Sequence, residues 1–115
     1  MTFRVETTKT AETEVHRILS WLADRSPQGT IAWYDAWKEA MEFLSVNPYS
    51  ASLAPENSDH EEVIRHWSFK TARGHSYRTL FIIREQVVYI TNVRGKGRHV
   101  RNVKAKRRES SLIFK

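Results

Sequence analysis

Cysteine is absent from the 115 residues. That excludes a disulfide framework, a thiolate zinc site and a cysteine nucleophile, and it accords with a reducing compartment. Long apolar runs are missing as well. Leu80–Ile83 is among the longest, and four residues are far too few to span a bilayer. The opening Met-Thr-Phe-Arg-Val-Glu has no apolar signal region. A cytoplasmic protein that does not engage a membrane is therefore expected. His16, His60 and His66 have no histidine at i+4 and no His-x-His neighbour, so no metal is expected, and no motif asks for a cofactor.

Charge is scarce in one sign at each end. Residues 1–62 hold 5 Lys/Arg against 11 Asp/Glu, whereas residues 63–115 hold 14 against 2. The halves therefore carry net charges of −6 and +12 behind a whole-chain value of +6. Such asymmetry speaks about partners rather than about fold. It is sharpest over 94–108, where Arg94, Lys96, Arg98, Arg101, Lys104, Lys106, Arg107 and Arg108 stand with no acid among them. A cluster of that kind fits nucleic acid, an anionic surface or an acidic protein.

The chain is long enough for one domain with a modest core, hiding roughly two-thirds of its extended surface. Phe3 and Val5 alternate with Arg4 and Glu6, the period of a half-buried strand. Thr8 or Thr10 can cap the helix that follows, and Ala11, Val15, Ile18, Leu19 and Leu22 trace its buried face. Ser26-Pro27 starts a second helix and Asn47-Pro48 ends it. Two apolar stripes run along that helix: Ile31, Tyr34, Trp37, Met41 and Leu44, and beside them Trp33, Ala36, Ala40 and Phe43. The short link between the helices predicts an antiparallel hairpin. Residues 49–60 read as a surface loop. Three strands follow, around Val63–Lys70, Tyr77–Arg84 and Val87–Val93, the last two joined by a tight turn. The order is β-α-α-β-β-β. It predicts an α+β domain with a helical hairpin on one face of a small, mainly antiparallel sheet, followed by a basic C-terminal tail.

In that order and spacing the chain resembles the RelE/ParE superfamily of bacterial toxins from type II toxin–antitoxin systems. The resemblance covers roughly residues 3–99. It rests on the strand and the hairpin ending in Leu44-Ser45-Val46-Asn47-Pro48, and on Tyr77-Arg78-Thr79-Leu80-Phe81. The charged turn and Val93-Arg94-Gly95-Lys96-Gly97-Arg98 complete it. A toxin domain over 1–99 with a basic extension over 100–115 is implied. So is a cognate antitoxin whose acidic C-terminal segment neutralises the toxin. The superfamily has two actions: ribosome-dependent cleavage of messenger RNA, and inhibition of DNA gyrase without chemistry. A nucleic-acid-binding domain with no toxicity is the alternative reading, because fold alone does not settle function.

For RNA cleavage the resemblance makes Arg78, Lys70 and Arg98 the catalytic candidates. The resemblance implies that Arg78 stabilises the phosphate in its transition state, and for that role it is expected on the solvent-open face, opposite Tyr77, Thr79 and Phe81. The tyrosine of RNA-cutting members falls after the arginine, and no tyrosine occurs from Arg98 to Lys115. His99 or His75 could serve instead as acid or base. Arg94, Lys96, Arg101, Lys104, Lys106, Arg107 and Arg108 are the candidates for nucleic-acid binding. Trp33 and Trp37 are read as core residues first. The excess apolar width of the second helix also makes them candidate anchors in an antitoxin or homodimer groove.

Overall fold

The computed structural model describes residues 2–59, 61–72 and 74–95. Strand β1 spans Arg4–Thr7, helix α1 Lys9–Ala23 and helix α2 Pro27–Val46. A two-residue strand β2, Ser52–Leu53, precedes β3, Arg65–Lys70. Strands β4, Ser76–Arg84, and β5, Val87–Gly95, complete the sheet. Its order is β1-β5-β4-β3-β2, antiparallel except where β1 lies parallel to β5. The α+β layout expected from the sequence is the one observed, with β2 as an addition.

The helix boundaries follow from local chemistry. The Thr8 hydroxyl accepts the Ala11 N–H at 3.3 Å, and the Ser26 hydroxyl accepts the Gly29 N–H at 2.9 Å. Each satisfies one of the donors that a first turn leaves open. Pro27 sits in the first turn of α2, where its missing N–H loses nothing. Between β4 and β5 the chain reverses through Glu85-Gln86, with Glu85 at φ 55°, a left-handed conformation that glycine adopts more readily. A β-bulge shifts the pairing. Leu80 lies opposite Asn92 but Phe81 opposite Ile90, so Thr91 is the extra residue.

The sheet is covered on both faces. Beneath the helices, Ala11, Val15, Trp33, Trp37 and Leu44 pack with Phe81, Val88, Ile90 and Val93. On the opposite face, Ala54 and Ile64 pack on Leu80 and Ile82, with Tyr89 alongside. The segment expected to be a plain surface loop is therefore partly a second cover. Ala54 and Glu56 are buried within it.

Helix α2 corrects the two-stripe expectation. Its buried positions are Trp33, Trp37, Ala40 and Leu44, drawn from both stripes. Ile31, at 63% exposed, and Tyr34 face outward instead. Trp33 and Trp37 are 2% and 7% exposed and their rings stack at 5.9 Å. Trp33 also meets Phe69 and Tyr77 edge-on at 5.5 and 5.6 Å. They are core aromatics, and the expectation that they anchor a partner groove does not hold for this folded chain.

Candidate functional site

The non-helical face of β4 carries an alternating series, Arg78, Leu80, Ile82 and Arg84. The described residues of segment 54–64 lie over it. Its backbone closes on itself, with Ala54 N–H donating to Ile64 O at 2.8 Å and Ile64 N–H to Asn57 Oδ1 at 2.8 Å. Ala54 and Ile64 cover the two apolar residues of the series. Glutamates meet the two arginines.

Both pairs are two-pronged. Arg78 Nη1 donates to Glu56 Oε1 at 3.0 Å and Nη2 to Glu56 Oε2 at 2.6 Å. Arg84 Nε donates to Glu62 Oε2 at 2.9 Å and Nη2 to Oε1 at 2.7 Å. Planar guanidinium and planar carboxylate fit fork to fork in this way. Their surroundings differ. Glu56 has no accessible surface and Arg78 is 5% exposed, whereas the Glu62 and Arg84 side chains remain open to water. The Arg84 guanidinium has its pKa raised, chiefly by its hydrogen bond to Glu62.

His66 completes the buried end. Its Nδ1 lies 3.3 Å from Arg78 Nη1. The guanidinium can only donate, so Nδ1 accepts and the ring is neutral. Burial first, and then the charge of Arg78, pull the His66 pKa below its ordinary value, with Glu56 opposing. The two effects agree with the hydrogen bond.

Arg78 thus stands on the face away from Tyr77 and Phe81, as expected, but that face is not open to solvent at this point. Lys70, exposed at the end of β3, shares the face, because His66, Ser68 and Lys70 pair with Leu80, Arg78 and Ser76. Arg94 lies opposite Arg78 in the β4–β5 register, yet its Nε is 2.9 Å from Glu14 Oε2 of α1. The structure brings Arg78, Lys70 and Arg94 to one end of one sheet, two of them already ion-paired. Arg98 and His99, and with them Lys96, Arg101, Lys104, Lys106, Arg107 and Arg108, lie outside the described residues. His75 is exposed beyond the start of β4.

Glu56, His66 and the Glu62–Arg84 pair escaped the sequence reading. Their signal was the strand pattern Arg-x-Leu-x-Ile-x-Arg, two cations flanking two apolar residues on one face, which asks for a cover with acids at its ends. Among the described residues no group of three His, Cys, Asp or Glu side chains could hold a metal ion. Nor is any described helix long and apolar enough to cross a membrane. No family model, no curated protein and no solved structure matches the chain.

Proposed function

We propose that this chain is a growth-arresting toxin of the RelE/ParE type, acting in the cytoplasm and neutralised by an antitoxin with an acidic C-terminal segment. The order strand, helical hairpin, antiparallel strands and the Tyr77-Arg78 motif support that reading. Between the two targets, the state of Arg78 favours inhibition of gyrase by binding over cleavage of messenger RNA. The observation that carries this preference is the two-pronged Glu56–Arg78 pair, which occupies both Nη atoms of the guanidinium that a scissile phosphate would need. The second reading, an endoribonuclease using Arg78, Lys70 and Arg98, draws on the shared face of Arg78 and Lys70.

Induced expression without a partner tests both. Growth should stop, relaxed plasmid DNA should accumulate and messenger RNA should stay intact. Cleavage of messenger RNA with normal supercoiling would select the nuclease. Normal growth at high soluble yield would remove the toxin reading and leave a nucleic-acid-binding domain without toxicity.

A further inference from the structure

The segment 54–64 carries four acids, Glu56, Asp59, Glu61 and Glu62, and no Lys or Arg. It folds back over a strand from the half of the chain whose net charge is +12. Its apolar hold is small, two residues from the segment on Leu80 and Ile82 with Tyr89 beside them. Leu53 and Val63, at its two ends, turn more than half of their surface to solvent. The two carboxylate–guanidinium contacts and the two residues of β2 hold it as well. A segment with so small an apolar hold belongs to the part of a structure that opens first.

A carboxylate held by both prongs of an arginine stands where a phosphate group would stand, because the same planar fork serves either oxyanion. We infer that segment 54–64 is an acidic strap that masks a phosphate-binding face. Glu56 occupies Arg78 in the resting state, and a nucleic-acid backbone displaces it. Arg78 is then presented beside Lys70 and Arg94, which the register places at the same end of the sheet. A polyanion is favoured over a lone anion because it can engage these cations together and so compete with a tethered carboxylate. The strap sets a threshold: weak or isolated phosphates lose to Glu56, and a chain of phosphates wins. This inference goes beyond the toxin reading and holds or fails apart from it, since it concerns binding by the purified chain rather than growth.

The test is binding of a short fluorescent oligouridylate to the full chain at fixed ionic strength. Glu56→Ala should raise affinity about tenfold or more, the step that separates an occupied arginine from a free one. Glu61→Ala removes the same charge from an exposed position of the strap and should raise it far less. Adding Arg78→Ala to Glu56→Ala should abolish the gain. Equal gains for Glu56→Ala and Glu61→Ala would reduce the effect to net charge and overturn the proposal. So would a gain that survives the loss of Arg78, or no gain in a folded Glu56→Ala chain. Should Glu56→Ala fail to fold, hydrogen exchange on the unaltered chain decides. The amides of Asn57 and Ile64 should exchange faster once the oligouridylate is bound, and unchanged or slower exchange would overturn the strap.

Discussion

Glu14 Oε1 accepts the backbone N–H of Val93 at 2.8 Å, joining positions 79 residues apart. The contact closes a gap in the sheet. Strand β1 pairs with β5 only as far as Thr7 opposite Ile90, so beyond that point no strand of the described residues lies beside the outer edge of β5. Helix α1 and its N-cap residue supply the missing partners. The Thr8 N–H and hydroxyl both donate to Ile90 O, at 3.0 and 2.9 Å, and Glu14 takes the next free N–H. The same carboxylate lies 3.5 Å from Asn92 Nδ2 and 2.9 Å from Arg94 Nε. An open edge strand invites pairing with other chains, and a buried acid on a neighbouring helix blunts it here.

Glu14→Ala should therefore lower stability by about 2 kcal/mol, the usual loss when a buried donor is left without its charged acceptor. Glu14→Gln keeps an acceptor for Val93 and should recover about half of that. Urea midpoints of the three chains at equal slope check the order. A Glu14→Ala chain as stable as the parent would show that the edge is satisfied by water.

Trp33 should be the residue whose truncation the fold tolerates least. It is buried against Trp37, Phe69 and Tyr77, and its indole N–H has no hydrogen-bond partner among the described residues. Trp33→Ala should cost about 3–5 kcal/mol, a large part of a small domain's stability. Trp33→Phe should cost clearly less, because it keeps a ring in the cluster and removes the unpaired donor. Thermal melts distinguish this from the partner-groove alternative, in which Trp33→Ala would spare the melt and affect only association.

Much of this architecture is legible in the sequence because its signals are local. Ser26-Pro27, Asn47-Pro48 and the alternation in Tyr77–Arg84 each act within a turn or a strand. Helix α2 defeated the reading because Ile31, Trp33, Tyr34 and Trp37 are all large and apolar, so hydrophobicity alone could not choose a face. Packing against Phe69 and Tyr77 chose Trp33 and left Tyr34 in water. The strap was harder still. Ala54 and Glu56 sit in a polar, Pro-containing stretch without period; Ala54 is buried by Leu80 and Ile82 and Glu56 by Arg78, 22 positions away from it. Pairing of β1 beside β5 likewise depends on contacts that no local window contains.

Acid should weaken the fold through His66. Its folded pKa lies below the ordinary value of 6.5, owing first to burial and then to Arg78. As pH falls through about 6.5 the unfolded chain takes up a proton that the folded chain refuses, so this contribution to stability is present above that value and lost below it. The slope from one proton cannot exceed about 1.4 kcal/mol per pH unit. His66→Gln should flatten the decline between about pH 7 and pH 5 relative to the parent. Parallel curves for the two chains would show that the ring titrates as if it were free.

Arg78 and Glu56 should behave as a unit. Removing one member of a buried ion pair strands the other, a loss of about 3–5 kcal/mol, whereas replacing both with apolar residues of similar size is often neutral or stabilising. Arg78→Ala and Glu56→Ala should each lower the urea midpoint well beyond Glu62→Ala, because the Glu62–Arg84 pair is solvent-exposed and worth about 1 kcal/mol at most. The double variant Arg78→Met with Glu56→Leu should return near the parent. That result has a consequence for activity. Loss of growth arrest in Arg78→Ala alone would report a loosened fold as readily as a lost phosphate ligand. The folded double variant separates the two, since it keeps the cover over Leu80 and Ile82 and lacks the guanidinium together with its buried carboxylate partner. If it still arrests growth, Arg78 has no part in the toxic action and its task is to hold the strap. If it is folded and harmless, the arginine itself acts on the target, and the strap must open for it to do so.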